Sequence, residues 1–170
     1  SIRSGLQLKQ AFKLVDKIDS ALESKLDFAF DPHLGYLTAC PTNVGTGMRA
    51  SAMLHLPGLV LSELINQVIQ AVSKIGLAVR GLYGEGTEAM GNLFQISNQT
   101  TLGEKEEEII SRLSKVIETI IEKEHNARQI LLQKKPNTLL DQIGRAYGVL
   151  TYAHAMASKE ALNLLSIIKL

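Results

Sequence analysis

Two arginines and a glutamate stand beside glycines in this sequence, and its one cysteine opens the same stretch as the first arginine. That stretch is Cys40-Pro-Thr-Asn-Val-Gly-Thr-Gly-Met-Arg49, running on into Ala50-Ser-Ala-Met-Leu-His-Leu-Pro57. Gly45 and Gly47 let the backbone take positive φ and approach a ligand with no Cβ in the way. Arg49 sets a permanent, forked cation beside that bare backbone, which is the geometry an oligophosphate needs. A glycine-rich β-turn carrying a surface arginine accounts for the same residues. The second stretch runs from Leu77 through Arg80, Gly84, Glu85 and Gly86 to Ala89. Its GEGTEA run satisfies the spacing of a dinucleotide-binding fingerprint, but that motif needs a helix directly after its glycines. Here a strand-like Leu93-Phe-Gln-Ile-Ser97 follows, so a glycine-rich loop between two strands fits better than a Rossmann turn.

The elements that position these residues follow from hydrophobic periodicity. Leu8, Phe12, Val15, Ile18 and Leu22 recur at helical spacing and predict a helix from about Leu6 to Lys25. Residues 35–40, 50–56, 77–83 and 93–97 read as strands. Leu59–Ile75 reads as an amphipathic helix stopped by Gly76, with Pro57 suited to a first helical turn. Thr101-Leu-Gly-Glu104 has the form of a capping box for a helix from about Lys105 to Gln133, whose acidic start complements the helix dipole. Asn137 is expected to cap a further helix, in which Gly144 and Gly148 would allow close packing, and Ser158 to cap the last one. The predicted fold is α+β: one domain over 1–170, with a mainly antiparallel sheet of four strands flanked by helices.

Composition narrows the classes. A chain of 170 residues, 45% hydrophobic and 21% charged, suits one domain with a sizeable core. A net charge of +1 argues against a generally nucleic-acid-binding or membrane-coating surface. A lone cysteine makes neither an internal disulfide nor a zinc site, which fits a reducing, cytoplasmic setting. Lys9, Lys13, Asp16 and Lys17 break up the first apolar stretch, so no signal peptide is read there, and no run reaches the ~18 apolar residues of a membrane span. His33, His55, His125 and His154 lack the spacing of a metal site, and none is assigned.

The segment CPTNVGTGMRAS resembles the CPSN-LGTGLRA-type signature of the ATP:guanido phosphotransferases, the family of creatine and arginine kinases. With the continuation MLHLP it most resembles that family's bacterial protein arginine kinases. Val79-Arg80-Gly81 with Gly84-Glu85 is similar to the family's VRGxxGE segment, and Phe94–Asn98 to its YDISN strand. The likeness extends over essentially the whole chain. It implies a guanido-kinase catalytic-domain fold and transfer of a phosphoryl group from ATP to the guanidinium of arginine in proteins. A free guanidino metabolite as acceptor, or a non-catalytic nucleotide-binding module, remains the alternative.

That chemistry poses two physical problems. Charge on the transferring phosphoryl group needs fixed donors around it. The acceptor is a protonated, delocalised guanidinium, which carboxylates can align and deprotonate. The resemblance implies that Arg49 and Arg80 bind phosphates and that Glu85 grips the acceptor, with Glu88 as its local competitor. It further implies a nucleotide lined by Arg49, Ala50, Ser51, Ala52 and Met53 and by Arg80, Gly81, Leu82, Tyr83, Gly84 and Glu85. Mg2+ would be held through phosphates and water. Cys40 matches the family's reactive thiol; a thiolate near Arg49 would have a lowered pKa, whereas a buried structural thiol is the other reading. Met53 replaces a nucleotide-lining histidine of the phosphagen kinases, implying apolar adenine contacts, and Gln95 replaces the aspartate of YDISN. The implied partners are arginine-bearing protein substrates, a zinc-finger-type activator, a heat-shock repressor, a Clp-type unfoldase and a possible second copy of the chain. The family's NEEDH-type and RDxxRA motifs are absent from these residues. The chain alone is therefore expected to fold without catalysing.

Overall fold

The computed structural model describes residues 1–81 and 89–170. Its helices and strands are α1 (Leu8–Glu23), β1 (Phe30–Asp31), β2 (Gly35–Tyr36), β3 (Ser51–His55), α2 (Pro57–Leu61) and α3 (Ile65–Lys74), followed by β4 (Leu77–Gly81), β5 (Leu93–Asn98), α4 (Glu106–Lys134), α5 (Pro136–Tyr152) and α6 (Ser158–Ile168). The expected α+β architecture with antiparallel pairing is present. The last strand, β5, lies in the middle of a three-stranded antiparallel sheet of order β3-β5-β4. Gln95 pairs with Met53 on one side and Arg80 on the other. Side chains alternate across a strand, so this register sorts the residues into two faces. Ala52, Leu54, Val79, Phe94 and Ile96 share one face; Ser51, Met53, Arg80, Gln95 and Ser97 share the other.

The apolar face makes the core. Val68 and Val72 of α3, with Leu113, Ile117 and Ile120 of α4, join Phe94, Ile96 and Leu77 in one buried cluster. Burying side chains of this size contributes about 1.5–3 kcal/mol each, which fixes the sheet between its helices and leaves the polar face outward.

The structure corrects the sequence reading at several elements. Residues 35–40 do not join the large sheet. Tyr36 pairs with Phe30 in a separate two-stranded ribbon, and its N–H and C=O are both committed to Gly45 (2.8 and 3.2 Å). Pro41 then opens a 3₁₀ turn, Pro41–Asn43. The helix expected over 59–75 is two helices, broken where Glu63 takes a positive φ of 60°. Pro57 does open the first, and Gly76 (φ 75°) ends the second. The capping interaction of α4 lies four residues later than expected: the Lys105 N–H donates to Glu108 Oε2 at 3.1 Å. Asn137 lies within the first turn of α5, which Pro136 opens, and Ser158 is the first residue of α6. A Cβ on Gly144 or Gly148 would meet nothing within 4 Å, so neither glycine marks a close helix contact.

One buried charge ties the layers together. Both Glu124 carboxylate oxygens accept N–H groups at the start of α2, from Gly58 (2.8 Å) and Leu59 (2.9 Å). Arg128 Nε donates to the same carboxylate at 2.6 Å, and its Nη1 donates to the Leu170 carbonyl at 3.0 Å. Helix α2 has no side-chain cap of its own, so α4 supplies the acceptor its orphan amides need.

Candidate functional site

The strap from Cys40 to Ala50 is held from three sides. The bridge from Tyr36 to Gly45 fixes its base. The Thr101 hydroxyl sits 2.8 Å from the Val44 carbonyl and 3.0 Å from that of Thr42, while the Thr101 carbonyl accepts the Thr46 N–H at 3.0 Å. Gly45 has φ of 109°, and a Cβ there would overlap the Thr101 carbonyl oxygen, so the glycine is a packing requirement as well as a turn residue. Asn98, almost wholly buried, fixes the exit of the strap. Its Oδ1 accepts the Ala50 N–H (2.8 Å), and its Nδ2 donates to the carbonyls of Met48 (3.0 Å) and Thr100 (3.1 Å). The residue between Met48 and Ala50 is Arg49, whose Nη2 lies 3.4 Å from Ser97 Oγ on the polar face of the sheet.

Arg80 reaches the same face from β4, directly across from Gln95. Both guanidinium groups are exposed, and neither forms an ion pair with a described residue; the acidic residues that do form such pairs go to Arg112, Arg128 and Arg145. Gln95, which bonds the Ser51 hydroxyl through Nε2 (3.0 Å), brings an amide where a carboxylate would oppose an incoming anion. Two forked cations, the Ser51 hydroxyl and an amide on one sheet face, with the buried Ser97 hydroxyl beside Arg49, are donors of the kind a polyanion takes. Of residues 50–53, Ser51 and Met53 share that face, Met53 being 47% exposed. Ala52 packs on the core, and Ala50 contributes backbone to Asn98. Gly81 ends β4 opposite Phe94. Leu82, Tyr83, Gly84, Glu85 and Glu88 lie outside the described residues.

Cys40 is exposed rather than a buried structural thiol. Its pKa is lowered by hydrogen bonding from the Thr42 hydroxyl, 3.0 Å from Sγ, and from the Thr42 backbone; the expected cause, Arg49, is not among those acting on it. Thr42→Val is therefore expected to move the pH midpoint of Cys40 alkylation upward, towards the usual ~8.5 of a free thiol, while Arg49→Ala leaves it in place. An unchanged midpoint in Thr42→Val would remove Thr42 as the cause.

Sequence reading passed over Asn98, Thr101 and His55 as site-building residues. A polar residue ending a strand of buried neighbours was the available signal for Asn98. His55 gave none, because its partner is distant in sequence: its Nε2 lies 2.8 Å from Ser166 Oγ on α6. Burial chiefly, then Arg128 and Lys169, hold its pKa below the usual histidine range, against an opposing pull from Glu124. With the folded pKa below the unfolded ~6.5, the unfolded chain takes up the proton first. His55 thus contributes stability that is present above about pH 6.5 and lost as pH falls through the folded pKa. Melting temperatures between pH 7.5 and 5.5 should fall less steeply in His55→Gln; parallel curves would remove His55 as a contributor.

A family model described as ATP:guanido phosphotransferase, C-terminal catalytic domain, matches residues 1–127. One described as protein-arginine kinase McsB C-terminal domain matches residues 136–170. The chain is 58% identical over 165 residues to the protein-arginine kinase of Moorella thermoacetica, covering 97% of the chain and 47% of that protein. It is 53% identical over 169 residues to that of Symbiobacterium thermophilum, covering 99% and 48%. The chain thus spans about half the length of the curated relatives it matches. Among solved structures, the duplicated taurocyamine kinase from Schistosoma mansoni with bound transition state analog components aligns at a TM-score of 0.56 and 34% identity, over 67% of this chain and 16% of that one. A lombricine kinase aligns at 0.56 and 28%, over 71% and 32%.

Proposed function

This chain belongs to the ATP:guanido phosphotransferase family, and we propose that it forms part of an enzyme that transfers the γ-phosphoryl group of ATP to arginine side chains of proteins. The observation that carries the reading is the pair of exposed arginines, Arg49 just before β3 and Arg80 on β4, on one sheet face with Gln95 on the strand between β3 and β4. The names of the relatives, protein-arginine kinases at more than half identity, support the acceptor class. Arg49 and Arg80 hold the phosphates and offset the charge that spreads over the transferring group. The exposed Met53 offers an apolar surface for the adenine ring. Mg2+, carried in on the nucleotide phosphates, supplies further charge neutralisation. Glu85 holds and orients the acceptor guanidinium, and the Cys40 thiolate, stabilised by Thr42, gives that guanidinium a second anionic neighbour.

The reading extends to a cytoplasmic enzyme acting on arginine-bearing proteins, with a zinc-finger-type activator, a heat-shock repressor, a Clp-type unfoldase and a second copy of the chain as partners. No helix among the described residues is long and apolar enough to cross a membrane. The test is to incubate the protein carrying this chain with ATP, Mg2+ and an arginine-containing protein, beside free arginine, and to score phosphoarginine by mass spectrometry. Phosphoarginine in the protein is the expected result. Product only from free arginine would reassign the enzyme to metabolite chemistry. Nucleotide binding without any phosphoarginine would make it a regulatory module.

A further inference from the structure

Helix α6 belongs to the segment matched by the second family model, yet its polar side chains dock on the sheet. Asn163 Oδ1 accepts the Gly91 N–H at 2.8 Å. The Ser166 hydroxyl accepts from Asn92 Nδ2 at 2.7 Å and meets His55 Nε2 at 2.8 Å. The docked turn is conformationally unusual: Gly91 and Asn92 both have positive φ, 61° and 54°, immediately before β5. Glycine takes that region freely and asparagine is among the few side chains that readily follow it, so the pair suits the turn that Asn163 and Ser166 then hold. A Cβ on Gly91 would lie 3.0 Å from the Leu162 carbonyl oxygen, so the α6 backbone itself packs on the turn. The Asn92 carbonyl accepts the Leu56 N–H at 2.9 Å, which joins the same turn to the end of β3.

This junction sits at one end of the arginine face. His55 pairs with Leu93, one alternation beyond the Met53–Gln95 pair and two beyond Ser51–Ser97. His55 therefore points to the same side as Gln95 and Ser97, and Ser166 covers it. With the His55 imidazole neutral, a satisfied chain runs from the Asn92 amide to the Ser166 hydroxyl and on to Nε2. The turn leads directly into β5, where Gln95 pairs with Arg80 and Ser97 lies 3.4 Å from Arg49 Nη2.

We propose that α6 is a positioning element for the arginine face, its Asn163 and Ser166 locking the Gly91–Asn92 turn and the His55 end of β3, so that the docking of α6 sets the affinity of the face for polyphosphate. The proposal rests on the reading of that face as a phosphate site. Neither residue touches the phosphate; both act through the turn and the strands it joins.

The experiment uses the protein carrying this chain, with inorganic tripolyphosphate and ATP as probes in calorimetry and amide hydrogen exchange as a second readout. Asn163→Ala should speed exchange of the Gly91 amide at least about tenfold and weaken both probes by about fivefold or more. Asn163→Asp, which keeps an acceptor oxygen for Gly91, should restore protection of that amide. Ser166→Ala should weaken both probes, and Ser166→Thr, which keeps the hydroxyl, should recover them. A purely structural contact would lower the melting temperature without changing affinity below it. Binding that is lost in Arg49→Ala but unchanged in Asn163→Ala and Ser166→Ala overturns the proposal alone. If the unsubstituted protein bound neither probe, the phosphate reading of the face would fall and the proposal with it.

Discussion

Glu124→Ala is expected to destabilise the fold by about 3–5 kcal/mol, the usual effect of removing one member of a buried, hydrogen-bonded ion pair. Glu124 is 4% exposed, and its carboxylate takes three donors: the Gly58 and Leu59 amides and Arg128 Nε. Removing it leaves two buried N–H groups without an acceptor and strands a guanidinium that is itself largely covered. The total stability of a domain is only ~5–15 kcal/mol, so this one side chain carries a large share of it. Glu124→Gln keeps an acceptor but loses the charge and should fall between the two. Gly58→Ala should weaken the same point, because a Cβ there meets Arg128 Cγ at 2.8 Å and Glu124 Oε1 at 2.9 Å. Urea unfolding gives the measurement, and a loss below about 1 kcal/mol in Glu124→Ala would show that water replaces the carboxylate without difficulty.

In the protein carrying this chain, Arg49→Lys and Arg80→Lys should each lower kcat/KM for the proposed arginine phosphorylation by roughly 30- to 1,000-fold, equivalent to about 2–4 kcal/mol of transition-state stabilisation. Lysine keeps the charge but presents one ammonium instead of a planar fork, so the bidentate grip on phosphate is lost. Both side chains are exposed and carry no ion pair with a described residue, so neither change should disturb the fold. Activity therefore has to be compared at unchanged melting temperature. Near-normal kcat/KM in both variants would take the arginines out of the reaction.

Local signals were legible where local physics decides the outcome. The amphipathic helices, the strand carrying Arg80, the proline that opens α2 and the glycine that ends α3 follow from periodicity and turn chemistry. The placement of Arg49 and Arg80 on a shared face did not follow from spacing, since it depends on β5, made after both, entering between β3 and β4. The misread elements are those governed by distant partners. Thr101 looks like a helix cap but spends its hydroxyl on the strap carbonyls of Thr42 and Val44. Residues 35–40 look like a sheet strand, but Gly45 takes both peptide groups of Tyr36. Gly144 and Gly148 are the exception: they stand one turn apart like a helix-packing motif, yet among the described residues nothing outside their own helix comes within 4 Å of a Cβ on either.

The order β3-β5-β4 also has a consequence for synthesis. The two outer strands emerge from the ribosome first, and neither has its ladder partner until the third has been made. Translation at about 5–20 residues per second keeps both edges unpaired for that interval, open to association with other nascent chains. The arrival of β5 then supplies the partner for both ladders. A one-residue slip at that step would turn Gln95 and Ser97 towards the core and Phe94 and Ile96 towards water, so the misregistered sheet is heavily penalised. The face that carries Arg80, Gln95 and Ser97 is accordingly complete only once β5 has been made and paired on both of its edges.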